Sequence, residues 1–130
     1  PLMMMLENSL YEPLLFALQG KLNKIKLKFK PGASCCVVLA SKGYPWTAKE
    51  GLVIKGLDEV SRLNQVKVFH AATKKEHGRI VTAGGRVLGV TSYSERGILE
   101  AKELSYHATS FLEIPGKFHY RKDIADKGIT

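Results

Sequence analysis

With 130 residues, 45% of them hydrophobic, the chain carries enough apolar material for one self-supporting domain, which excludes a disordered class. No apolar run approaches the ~20 residues of a membrane span. Twenty Lys and Arg against twelve Asp and Glu leave a net charge of +8, unevenly spread: Pro13 to Lys49 holds seven lysines and no acid, a balance that suits an anionic partner or a solvated face.

In chain order, Met3-Met4-Met5 has no basic segment before it and no small-residue cleavage site after it, so it does not read as a signal peptide. A chain that begins at Pro1 is expected to be a piece of something longer. Ser9-Leu10-Tyr11-Glu12 matches a capping box, and Leu10, Leu14 and Leu18 then form one helical stripe that Gly20 should stop. That stripe, with Leu2 to Leu6, is more apolar surface than so small an element needs, and it points to a partner domain. Lys24-Ile25-Lys26-Leu27-Lys28-Phe29-Lys30 alternates strictly and predicts a strand with its lysines on one face. It reads as an edge strand protected by lysine, with a nucleic-acid-binding ribbon as the alternative; Phe29 falls opposite the lysines, which counts against the ribbon.

Ala33 to Ser41 predicts a buried strand, and Lys42-Gly43-Tyr44-Pro45-Trp46 a turn. The adjacent Cys35 and Cys36 would point to opposite faces of that strand, reduced and unbridged, as in a cytosolic protein. Short strands are expected at Leu52-Val53-Ile54 and Val66 to His70, with a polar loop from Thr73 to His77. Gly84-Gly85, between Arg79-Ile80-Val81-Thr82 and Arg86-Val87-Leu88, predicts a two-residue hairpin turn of positive φ. Ile98, Ala101, Leu104, Ser105, Ala108, Phe111 and Leu112 follow helical spacing up to Pro115-Gly116, and Phe118 to Ile124 reads as a last short strand. The sum is an α+β domain, mainly antiparallel, with one long packed helix and a leading helix.

For chemistry, the stretch Gly84 to Gly89 precedes a strand, where a dinucleotide fingerprint needs a helix. No phosphate-binding loop motif, nucleophile elbow or metal spacing among His70, His77, His107 and His119 is present, and Asp58-Glu59 reads as a solvated pair. No catalytic residue and no metal ligand is expected. What remains is a set of anion-binding turns: the Lys42 turn, the His70 loop and the Arg86 stretch, able to grip a phosphate or a carboxylate.

Four stretches occur together and in order: Ala40-Ser41-Lys42-Gly43-Tyr44-Pro45, Val68-Phe69-His70-Ala71-Ala72-Thr73, Thr82 to Thr91, and Tyr120-Arg121-Lys122-Asp123-Ile124. They closely resemble the C-terminal part of the phosphoribosylamine–glycine ligase family, ATP-grasp enzymes of purine biosynthesis. Leu6-Glu7-Asn8-Ser9-Leu10 resembles the helix start that follows the family's magnesium-binding motif. The resemblance covers nearly all of this chain and roughly the last third of a family member. It departs at Ala72 and Ala125, where the family usually has glycine.

The resemblance implies residues 1–22 as the helical tail of an ATP-grasp domain and 23–130 as the ligase's C-terminal domain. It implies a cytoplasmic enzyme that joins 5-phosphoribosylamine to glycine with ATP and Mg²⁺. Those two are bound by the remaining N-terminal and ATP-grasp domains, its partners in the same enzyme, and this piece is expected to bind neither and to be inactive alone. Neither a membrane nor a nucleic acid is expected as a partner. In a related ATP-grasp transformylase, an arginine in the matching Gly-Arg stretch binds the phosphate of glycinamide ribonucleotide. That implies Arg86, with Gly84 and Gly85, as the substrate-phosphate site, Lys42 as a second contact, and His70 and Arg121 as weaker candidates.

Overall fold

The computed structural model describes residues 1–129. Along the chain run α1 (Leu2–Met5), α2 (Tyr11–Leu18), β1 (Ala33–Ala40), α3 (Leu57–Ser61), β2 (Val66–His70), β3 (Thr73–Glu76), β4 (Arg79–Thr82), β5 (Arg86–Ser94) and α4 (Ile98–Thr109). β5 is the centre of a three-stranded antiparallel sheet in the order β1–β5–β2, and β3 pairs only with β4 in a separate ribbon. This is the α+β arrangement read from the sequence, antiparallel strands with one long helix.

α4 packs on β1 and β5 because the residues it presents are small. Ala101, Ser105 and Ala108 are fully buried, so the helix can approach the sheet closely. Ser105 Oγ donates to the Cys35 carbonyl (3.0 Å) and meets Ser92 Oγ (2.9 Å), while Ser92 Oγ donates to the Ala101 carbonyl. A buried polar seam is thus satisfied within the helix–sheet contact. Around it Val37, Leu39, Val60, Val87, Leu88 and Val90 form the core. Alternation along β1 buries Cys35, Val37 and Leu39 and leaves Val38 on the other face. Cys35 and Cys36 are free thiols, as expected, and burial pushes the Cys35 thiol up.

Thr91, on the face of β5 away from α4, is 1% exposed, and its hydroxyl has no hydrogen-bond partner among the described residues. Thr91→Val keeps the shape and removes the unpaired oxygen. It is expected to be neutral or to stabilise by up to ~1 kcal/mol in urea unfolding. A loss of more than ~1 kcal/mol would show that the hydroxyl is satisfied after all.

Several expectations are corrected. Gly84-Gly85 does not close a hairpin: β4 and β5 lie in different sheets, and neither glycine has positive φ. The two-residue primed turn is instead His77-Gly78, φ 46° and 78°, joining β3 to β4 across Glu76–Arg79. The loop expected from Thr73 is therefore mostly strand. Lys24 to Lys30 is not a sheet strand: among the described residues only Phe29 of this stretch bridges, to Leu6, and all four lysines and Leu27 are exposed. The nucleic-acid ribbon loses its element with it. Leu52 to Ile54 and the tail from Phe118 make single bridges, Val53 with Val81 and His119 with Ala40, rather than strands.

α4 stops at Thr109, short of Pro115. The amides of Phe111 and Leu112 turn to carbonyls three residues back, and Glu113 then pairs with Lys55. α3 carries the Asp58-Glu59 pair, exposed as expected, on a helix the sequence reading missed. At the N-terminus the Ser9 capping box does not form, since α2 begins at Tyr11 with no side-chain cap. Gly20 (φ 65°) does stop it: Lys21 N–H reaches the Phe16 carbonyl (2.8 Å) and Gly20 N–H that of Ala17 (3.0 Å). Leu10, Leu14 and Leu18 are exposed, Leu18 by 88%.

Candidate functional site

The site is assembled where β5 begins. Ser41 N–H donates to the Gly85 carbonyl (2.8 Å), and Ser41 Oγ reaches that of Gly84 (3.4 Å). On the other side Ala72 N–H donates to the Arg86 carbonyl and Ala71 N–H to that of Val87, both at 3.0 Å. Ala83 N–H returns to the Ala72 carbonyl (2.9 Å), so the stretch is pinned from both flanks through its carbonyls. The amides of Gly84 and Gly85 donate to no protein acceptor among the described residues.

A β-bulge aims Arg86. The β1–β5 register runs Leu39–Leu88 and then Ala40–Arg86, which leaves Val87 as the extra residue. Val87 and Leu88 consequently both turn into the core, each 0% exposed. Arg86 is thrown onto the opposite face, exposed to solvent. No carboxylate among the described residues pairs with its guanidinium.

Arg86 opens onto a groove of about 620 Å³ shared with Gly85, His70, Tyr44, Phe69 and Gly89. At Gly85 the constraint is proximity rather than φ: a Cβ there would sit 2.9 Å from Tyr44 Cε2 and closer still to Cδ2, so the Tyr44 ring would have to move. The Tyr44 ring therefore lies against bare backbone at the mouth of the groove. A Cβ on Gly84 would stand 3.0 Å from that of Ala72, so the alanine found where the family usually has glycine is accommodated. His70 Nδ1 shares a hydrogen bond with Thr73 Oγ1 (3.0 Å), which orients the ring at the edge of the groove.

Of the residues singled out from the sequence, Gly85, Arg86 and His70 meet in this groove, with Gly84 directly behind. Lys42 and Arg121 do not line it. The Lys42 stem runs toward Gly116, and Arg121 is held by Asp123 through two contacts of 2.8 and 2.6 Å. Tyr44, Phe69 and Gly89 were missed. Tyr44 had a signal, an aromatic in the turn beside Lys42. Phe69 and Gly89 had none, because their meeting depends on strand register. Among the described residues there is no cluster of three or more potential metal ligands and no helix long and apolar enough to cross a membrane.

Against this geometry, residues 34–127 match the family described as phosphoribosylglycinamide synthetase, C domain. Over its full length the chain is 40% identical to a phosphoribosylamine–glycine ligase of Rhodopirellula baltica, covering 30% of that protein. It is 42% identical over 90% of its length to one of Vigna unguiculata, covering 38% of it. Among solved structures it is similar to the phosphoribosylamine–glycine ligase of Thermotoga maritima, with a TM-score of 0.66 and 28% identity over 86% of this chain and 27% of that one. The chain thus spans about a third of the length of the relatives it matches.

Proposed function

Because the chain belongs to the phosphoribosylglycinamide synthetase C-domain family, we propose that it is the C-terminal part of a phosphoribosylamine–glycine ligase and forms the sugar-phosphate wall of that enzyme's cleft. The observation that carries the site is the unpaired Arg86 guanidinium, aimed by the bulge into a groove with His70 at its rim. Arg86 would take two oxygens of the phosphoribosylamine phosphate in a bidentate pair. The Gly84 and Gly85 amides and the His70 ring would supply further donors. Tyr44, against the bare backbone of Gly85, gives the phosphate end of the groove an apolar wall.

In the reaction so proposed, ATP activates the glycine carboxylate as an acyl phosphate, and the amine of phosphoribosylamine attacks it to give glycinamide ribonucleotide, ADP and phosphate. Among the described residues no three potential metal ligands cluster, and we assign ATP and metal to the preceding domains. Lys42 and Arg121 do not line the groove and are left out of this proposal. A cytoplasmic location goes with this reading, as does the division of the chain into 1–22 and 23–130. The family match beginning at 34 and the exposed stripe Leu10, Leu14 and Leu18 support an N-terminal segment that packs against the preceding domain.

A chimera tests the proposal. This chain is joined to the upstream part of the Rhodopirellula baltica relative in place of that protein's own C-terminal part. It is expected to release ADP in the presence of both phosphoribosylamine and glycine. A folded chimera no more active than the upstream part alone would contradict it.

A further inference from the structure

A second cavity, of about 720 Å³, opens between the end of α4 and the segment that follows it, and it shares no lining residue with the Arg86 groove. Its walls are pinned. His119 N–H donates to the Ala40 carbonyl and Ala40 N–H to that of His119, both at 2.8 Å, which fixes the tail to the end of β1. Tyr106 Oη, on α4, donates to the Arg121 carbonyl (2.8 Å) and accepts from Ile124 N–H (3.2 Å). Lys55 N–H donates to the Glu113 carbonyl (2.9 Å). Fixed backbone, not a frayed chain end, therefore shapes this cavity.

The lining has an apolar part and a charged part. Leu112 and Ile114 are buried, and the half-buried Phe118 and Tyr120 add two aromatic rings. Lys117 and Lys122 are exposed and have no acidic partner among the described residues. The acids that follow them, Asp123 and Asp126, are taken by Arg121 and Lys102. Two ammonium groups are thus left for an anion from outside. Lys117 also has φ 64°, directly after Gly116 at 86°, a conformation that glycine adopts at less cost. A lysine kept where the backbone disfavours it points to a use for its side chain. Glu113, on the same lining and likewise without an ion pair, offers an acceptor.

Aromatic surface, two unpaired cations and one acceptor, in a volume that suits a small ligand, match a nucleoside phosphate. We propose that this cavity binds a nucleoside monophosphate, with its base against Phe118 and Tyr120 and its phosphate at Lys117 and Lys122. Glu113 accepts from the hydroxyl or amino groups of the nucleoside. The site does not depend on the phosphate reading of Arg86, although Ala40, which holds His119, is also the register partner of Arg86.

An NMR titration of the ¹⁵N-labelled chain with adenosine 5′-monophosphate, adenosine and inorganic phosphate in turn tests this. The monophosphate should give saturable shifts at residues 117–122 and bind at least about tenfold more tightly than either adenosine or phosphate. Lys117→Gly relieves the left-handed φ, so folding is not at stake, and it removes one ammonium. It should weaken the monophosphate about fivefold or more and leave adenosine within about twofold. Lys122→Gln should act in the same direction, and Arg86→Ala should change neither. No saturable shifts at 117–122, an affinity no better than that of adenosine or phosphate, or binding unchanged in both lysine variants would overturn the site. Loss of the monophosphate in Arg86→Ala would place its phosphate in the other groove and overturn it equally.

Discussion

Arg86→Ala in the full-length ligase is expected to lower kcat/KM for phosphoribosylamine by ~2–4 kcal/mol, roughly 30- to 1000-fold, with ATP and glycine KM little changed. The magnitude follows from the position. The guanidinium has no acidic partner among the described residues, so its removal breaks no internal ion pair and should not unfold the domain. On the proposed reading, what is lost is a charge-assisted pair to the substrate phosphate, to which the guanidinium offers two parallel N–H donors. Arg86→Lys keeps the charge but not the planar fork, and its loss should be intermediate. Steady-state kinetics with each substrate varied in turn reads this out. An unaltered phosphoribosylamine KM and kcat would remove Arg86 from the site.

Gly56→Ala should produce the largest effect on stability, a loss of about 3 kcal/mol or more and a fall in Tm of about 10 °C or more. Gly56 has φ 86°, a left-handed conformation that costs an alanine about 1 kcal/mol. A Cβ there would lie 2.7 Å from the Phe111 carbonyl carbon, nearer still to its oxygen, and 3.3 Å from Leu112 Cα. These are backbone atoms, fixed beside the Lys55–Glu113 pairing, and cannot turn aside as a side chain could. Gly56 also starts α3, whose Val60 is 1% exposed in the core. Displacing Gly56 therefore disturbs the end of α4, the 55–113 bridge and α3 together. Thermal and urea unfolding measure it, and a loss under ~1 kcal/mol would show that the chain does not pass this closely there.

These two residues illustrate what could be read from the chain and what could not. β1, β2 and α4 were legible from the chain itself: Ala33 to Ser41 is a continuous apolar run, Val66 and Val68 flank a lysine in a short β-branched stretch, and Ala101, Ser105 and Ala108 recur at helical spacing. Lys24 to Lys30 has an equally regular pattern, but alternation needs a partner strand, and among the described residues only Leu6 bridges to this stretch. Gly84-Gly85 was misread because glycine answers two different demands. Positive φ is the one a sequence suggests, whereas closeness to Tyr44 is the one that applies at Gly85.

For the site, Arg86, Gly85 and His70 were legible through the order of four motifs. Lys42 and Arg121 share those motifs but point elsewhere. The bulge that aims Arg86, and the register that sets Phe69 and Val38 around Gly89, are relations between strands, and no stretch of sequence carries them alone.

The central claim is that the start of β5 is a sugar-phosphate site. Its most direct test is an NMR titration of the ¹⁵N-labelled chain with ribose 5-phosphate, followed amide by amide. Saturable shifts are expected at Gly84, Gly85, Arg86 and His70, and they should vanish in Arg86→Ala. Shifts confined to Lys24 to Lys30 or to residues 117–122, or none that saturate, would contradict it.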